Sequence, residues 1–295
     1  MARKNTNPLT GEKVTYFASG SNHAGEIEGW ASIGAPVGVA APDLNAAAVE
    51  ALKATAGKVP VFVDSGAFSE VEFGANGPQV VKPMTADDWN ARLALYLELA
   101  QVLGAALTVV APDKVGFAGE TLGRLSKYRK QVKAIAATGA RVLVPLQGVD
   151  KVTFWKRAQL ALDMTEADGL VPALPCKKNA TSPAEVVAFV KAAKPRAIHC
   201  LGLGARNTNA AALVRELRAV DADVEISLDS NAIRANVGRR GRLAPLTAAT
   251  DEVVAEAQAA GRSLTVRAKK AAAIRRAFCY GEPVQQAQLT LGLGG

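Results

Sequence analysis

The sequence predicts an α/β fold, a (β/α)8 barrel built as a single domain from residues 1–295. Three observations predict it. Short apolar, β-branched runs alternate with amphipathic segments, the pattern of parallel strands joined by helical crossovers. About eight such runs fall within 295 residues, which suits a closed barrel. The competing architecture, an open doubly wound sheet, requires G-x-G-x-x-G after its first strand. The nearest match, Gly202 to Asn207, keeps only the first two glycines and comes late.

Strands are expected at Val14–Ala18, Val37–Ala40, Val61–Val63, Leu107–Val110, Val142–Pro145, Leu170–Leu174, Ala197–Leu201 and Val224–Leu228. Their near-continuous apolar content suits strands buried on both faces. Helices are expected at Leu44–Ala56, Ala86–Leu103, Leu122–Ala137, Val152–Leu162, Pro183–Ala193, Asn209–Ala219 and Asp251–Ala260, with a basic one over about 266–277. Two starts are well marked. Ser182 precedes Pro183 and Glu185, and Thr85 precedes two acids in a first turn. The long polar first connection, GSNHAGEIEGWASIG, is expected to be a lid or binding loop. The tail from Gln285 to Gly295 is expected to be mobile. No internal repeat, low-complexity segment or linker divides the chain.

Composition narrows the function classes. The apolar fraction is 49%, carried by Ala and Val with few aromatics, as suits helices packed on a buried sheet. The net charge of +8 favours an acidic partner, nucleic acid first. The three cysteines form no C-x-x-C pair, and their odd number argues against a disulfide framework. A cytoplasmic location is expected. The polar start has no apolar h-region and no run reaches the length of a membrane span, so no membrane partner is expected.

In a barrel the active site is built at the C-terminal ends of the strands. Those ends carry Asp64-Ser65-Gly66, Pro112-Asp113, Gln147-Gly148, Pro172 to Pro175, Gly202-Leu203-Gly204 and Asp229-Ser230-Asn231. A single Asp after a strand is usually a helix cap. Three carboxylates and a carboxamide together point to a polar site. Two carboxylates in one pocket can divide the work of nucleophile and proton carrier, or hold Mg²⁺ together. His23 and His199 stand in no ligand pattern, and Cys176, His199 and Cys200 read as small residues on or near barrel strands. A serine triad has no G-x-S-x-G to rest on. At this point a Mg-dependent barrel enzyme and a non-catalytic nucleic-acid-binding barrel both remain open.

The strand ends resemble the tRNA-guanine transglycosylase superfamily. Asp64-Ser65-Gly66-Ala67-Phe68 looks like its D-S-G-G-[FY] motif. Ala111-Pro112-Asp113, Pro145-Leu146-Gln147-Gly148, His199 to Gly204 and Leu228 to Arg234 follow its later strand ends in order. The resemblance implies a (β/α)8 barrel that exchanges guanine for a 7-deazaguanine through a covalent aspartyl–nucleotide. It implies Asp229 as nucleophile and Asp64 as general acid/base. Asp113 and Gln147 would read the purine edge with help from Gly148 and Ser65. Phe68 and Leu201 would sandwich the base beside Gly202, with Gly66 and Ala67 leaving it room.

The chain departs from the tRNA-acting members. It lacks their C-x-C-x-x-C…H zinc cluster, Val171 to Pro175 replaces their Gly-Gly-Leu loop, and no separate RNA-binding domain is expected after the barrel. These departures resemble the DNA-modifying branch, DpdA, often phage-encoded, whose site of action would be the host cytoplasm. The implied partners are double-stranded DNA (or tRNA) and a free 7-deazaguanine base, with room for a homodimer and for a helper protein that opens the duplex. No metal and no cofactor are implied. Arg234, Arg239, Arg240, Arg242, Lys269, Lys270 and Arg275 are the expected phosphate contacts.

Overall fold

The computed structural model describes residues 14–230 except 21, 33, 75–76, 178–179 and 205–207, together with 254, 255, 258, 259 and 261. The expected basic helix over 266–277, the tail and the seven expected phosphate-binding residues lie outside the described residues, as does Cys279. Of the helix expected over 251–260, the four described residues are helical.

Eight strands close a parallel barrel: β1 (Val14–Ala18), β2 (Val37–Ala40), β3 (Val61–Asp64), β6 (Leu107–Val110), β7 (Arg141–Pro145), β8 (Leu170–Pro175), β9 (Ala197–Leu201) and β10 (Glu225–Ser230). A two-stranded antiparallel hairpin, β4 (Val71–Gly74) and β5 (Gly77–Val80), lies between β3 and the next helix. The helices are α1 (Ala24–Ser32), α2 (Ala46–Lys53), α3 (Ala86–Leu103), α4 (Ala118–Lys127), α5 (Arg129–Ala136), α6 (Lys151–Leu162), α7 (Pro183–Ala193) and α8 (Thr208–Val220). The architecture is a (β/α)8 barrel, as the alternation predicted.

Strand periodicity sorts the core into two parts. Val61, Val63, Val109, Val142, Val144, Ile198, Cys200, Ile226 and Leu228 belong to the large cluster shared with the helices. The alternate residues Phe17, Phe62, Val110, Leu143, Val171 and Ala173 form a second, inner cluster. One step further along the same phase come Asp64, Leu201 and Asp229. The alternation that fills the barrel therefore also aims the functional side chains into its mouth.

Capping follows the sequence signals. Thr85 with Asp88 and Ser182 with Glu185 each form a reciprocal capping box, and Pro183 opens its helix. Asn45 caps α2, so that helix starts two residues later than its apolar pattern suggested. The expected helix over 122–137 begins earlier and divides at Tyr128 into α4 and α5. Tyr128 is buried against Trp89, with ring centroids 6.4 Å apart, and this packing holds the break.

One expectation is corrected and one element is new. The first connection is no lid or loop, because it folds as α1. Ile27 and Trp30, spaced three apart, are buried against the core, a helical period hidden among polar neighbours. The segment after Phe68, for which the sequence predicts no element, forms the β4–β5 hairpin. Four-residue strands with Glu72 and Gln79 exposed carry too little apolar alternation to stand out. Among the described residues no helix is long and apolar enough to cross a membrane.

Candidate active site

Asp229 lies in β10, opposite Phe17 of β1, and is 7% exposed. Its Oδ1 accepts the Gly202 backbone N–H at 2.7 Å and stands 3.3 Å from His199 Nε2, while Oδ2 accepts the Ser19 hydroxyl at 3.0 Å. An Nε2–H can donate to this carboxylate, and Nδ1 stands 2.9 Å from Ser227 Oγ, whose hydroxyl also donates to the Ile198 carbonyl at 3.2 Å. His199 is fully buried and stacks on Phe62, with centroids 5.1 Å apart, while Phe17 lies 6.2 Å away. The inner aromatic layer is thus a floor that fixes the imidazole beneath the aspartate. Ser19 reaches Oδ2 because Gly38 leaves it room. A Cβ at 38 would fall 2.5 Å from Ser19 Oγ and 2.8 Å from Ser19 Cα.

Asp64 ends β3 and is only partly buried, at the rim. Its Oδ1 accepts the Gly66 N–H at 2.7 Å. Burial pushes its carboxyl up to about 6. The Gly66 hydrogen bond, His199 and Lys177 work against that rise, and the Asp229 carboxylate adds to it.

Asp113 follows β6 and is 3% exposed. It accepts from Ser65 Oγ at 3.3 Å and from Gln147 Nε2 at 3.1 Å. Burial raises it to about 7, with the charge of Asp64 adding to the effect and Ser65, Arg124 and Gln147 opposing it. Gln147 is itself held, its Oε1 accepting the Gly116 N–H at 2.9 Å. Gly148, at φ +81°, turns the chain after it, and the Gly148 carbonyl accepts from Lys151 Nζ at 2.6 Å.

The expected residues Asp64, Ser65, Asp113, Gln147, Gly148, Leu201, Gly202 and Asp229 all lie on or just after the barrel strands at their C-terminal ends. Leu201 packs against the inner apolar cluster. Phe68 stands further out, 46% exposed, with Phe73 stacked on it at 5.7 Å and Lys177 Nζ 4.1 Å above its ring. Gly66 and Ala67 do not serve as the expected space for a base. A Cβ at 66 would meet Pro42 Cγ at 2.6 Å, and the residue sits at φ +71°, so its glycine is demanded by the turn and by Pro42. Ala67 is buried.

Several site residues were not read from the sequence. Ser19 follows the end of β1, where the strand-end rule applied at β3 would have found it. His199 is a polar residue inside an apolar strand, in phase with Leu201. Nothing local flagged Arg124, which forks onto the buried Glu70 carboxylate at 2.7 and 2.6 Å and also donates to the Asp113 carbonyl. Burial would raise Glu70, but Arg124 and the Met84 N–H hold its carboxyl below the usual range. Cys200 belongs to the outer cluster, away from His199's phase. Cys176 beside it, together with burial, holds its thiol well above the usual range, which leaves it unreactive.

Both oxygens of Asp229 and of Asp113 already accept from N–H or O–H donors. That donor set suits carboxylates positioned as acceptors better than ligands shared by a cation. No group of three or more His, Cys, Asp or Glu with metal-ligand geometry occurs among the described residues. A groove of about 870 Å³ between α7 and α8, lined by residues such as Val187, Lys191 and Glu216, lies outside the barrel and includes none of these residues. In comparison with known proteins, the chain matches no family model and no curated protein.

Proposed function

We propose that the chain is a guanine transglycosylase that exchanges guanine in DNA for a 7-deazaguanine of the preQ0 type. One observation carries the reading. Two aspartates at one barrel mouth stand in different surroundings, Asp229 with donors on both oxygens and Asp64 with its carboxyl raised to about 6. Covalent exchange at an anomeric carbon needs such a division between an anionic nucleophile and a proton carrier. Among the described residues Asp229 Oδ2 has one donor where Oδ1 has two neighbours, so Oδ2 is the freer oxygen for attack.

In the first half-reaction Oδ2 bonds to C1′ and the C1′–N9 bond breaks. Its electron pair leaves with guanine, which takes a proton from Asp64. In the second half-reaction Asp64, now a carboxylate, takes the N9 proton of the incoming base. That nitrogen bonds to C1′, and Asp229 departs as a carboxylate. Ionised Asp113 accepts the N–H groups of the purine edge, and the second hydrogen of Gln147 Nε2 can reach the base carbonyl.

DNA is favoured over tRNA by the missing zinc cluster and by Val171 to Pro175 in place of the Gly-Gly-Leu loop, while the net charge of +8 suits either polymer. Labelled guanine offered with duplex DNA or with tRNA tests the proposal. Label is expected in DNA. Label in tRNA alone moves the activity to that polymer, and label in neither overturns base exchange.

A further inference from the structure

The β4–β5 hairpin leaves the mouth a few residues after Asp64, and its base is fixed to the base-reading side. The Glu70 carbonyl accepts the Val81 and Lys82 N–H groups at 3.0 and 3.3 Å. Its carboxylate binds Arg124, which also donates to the Asp113 carbonyl. Further along, Pro78 packs on Gly116, where a Cβ would come within 2.6 Å of Pro78 Cγ. The Gly116 N–H in turn holds Gln147. The hairpin is therefore anchored at two points to the residues that flank Asp113.

Beside the exposed Glu72, Gln79 and Val80, it presents an aromatic ring to solvent. Phe73, opposite Pro78 in the hairpin, is 56% exposed and stacks on Phe68 with an interplanar angle of 26°. Lys177 brings an ammonium over the Phe68 ring. Neither ring contributes to the core clusters, and a folding role explains neither their exposure nor the cation. Nucleic acid supplies the matching chemistry. Base faces stack on aromatic rings, and phosphates meet ammonium groups. A duplex that gives up a base also leaves a gap in its stack, which apolar side chains can enter.

We propose that Phe73 is a wedge that enters the base stack of duplex DNA where the target guanine leaves it, with Phe68 behind it and Lys177 moving to a neighbouring phosphate. This inference rests on the base-exchange reading. In it the chain opens the duplex at its own target, without a helper protein for that step.

The test compares labelled-guanine exchange into a duplex and into the same duplex with the target guanine in an unpaired bubble, for the wild type, Phe73→Ala and Phe73→Trp. Thermal melts establish that the variants fold. The duplex-to-bubble rate ratio is expected to fall about tenfold or more in Phe73→Ala, the size of a lost aromatic–base stack, and to recover in Phe73→Trp. An unchanged ratio in Phe73→Ala overturns the wedge while leaving base exchange standing. A wild type inert on both DNAs overturns base exchange on DNA and the wedge with it. Exchange into tRNA alone overturns the duplex-opening role.

Discussion

Asp64 and Asp229 end parallel strands that lie three positions apart around the barrel, β3 and β10, and the two walls treat a carboxylate differently. On the β10 wall, Gly202, Ser19 and His199 converge on Asp229. On the β3 wall, Asp64 accepts the Gly66 N–H, and burial near another acid raises it to about 6. The difference comes from the neighbours. The chemical type is identical, and so is the place at a strand end. Donors converging on one group make it a fixed acceptor, while a group with few donors beside another acid keeps its proton up to about pH 6.

Removing each role should break the comparison in order of size. Asp229→Ala should abolish the covalent adduct with guanine-containing DNA, a loss of roughly 10⁴-fold or more in exchange, because no other group forms the bond. Robust trapping by that variant would remove Asp229 from the nucleophile's role. Asp64→Asn should lose exchange by about 10²- to 10⁴-fold while DNA binding by gel shift is retained, the scale of a lost general acid/base. Unchanged exchange would make Asp64 a turn residue, since its hydrogen bond to Gly66 is the geometry of one.

Two substitutions probe the β10 wall without touching Asp229. His199→Phe keeps a ring over Phe62 but loses the contacts to Asp229 and Ser227. Gly38→Ala drives a methyl into Ser19. Each should lower kcat by about tenfold to a hundredfold with little change in KM, the worth of a hydrogen bond to a charged group. A loss confined to KM would assign both positions to substrate binding.

The smallest effect is on stability. The Asp64 and Asp113 carboxyls titrate at about 6 and about 7, above the ordinary Asp value. At these two groups the folded chain therefore binds more protons than the unfolded one between about pH 4 and pH 7, and their contribution to stability falls as pH rises through that window. Asp113→Asn should relieve the cost of a buried anion. It should stabilise by about 1–3 kcal/mol near pH 8, with the gain vanishing near pH 4, as read by denaturant melts at the two pH values. A gain that does not change with pH would disconnect it from ionisation.

The fold was legible because strand hydrophobicity and helix caps are local. Val61–Val63 and the Ser182–Glu185 box declare themselves within a few residues. The carboxylates were legible for a related reason: an acid after a buried run stands out, and Asp64, Asp113 and Asp229 do so in turn. What escaped was relational. Ile27 and Trp30 mark α1 only through a period diluted by polar neighbours. His199 matters because Phe62, Ser227 and Asp229 surround it in space, and Gly38 because Ser19 lies beside it on another strand. The Glu70–Arg124 pair joins positions far apart in sequence, and no short window contains both.

Base exchange is tested most directly by mass spectrometry of nucleosides from duplex DNA incubated with the full chain and a free 7-deazaguanine base. A 7-deazaguanine deoxynucleoside should appear in step with released guanine, and neither should appear with Asp229→Ala. Unmodified DNA from the wild type, or equal modification by the variant, would contradict it.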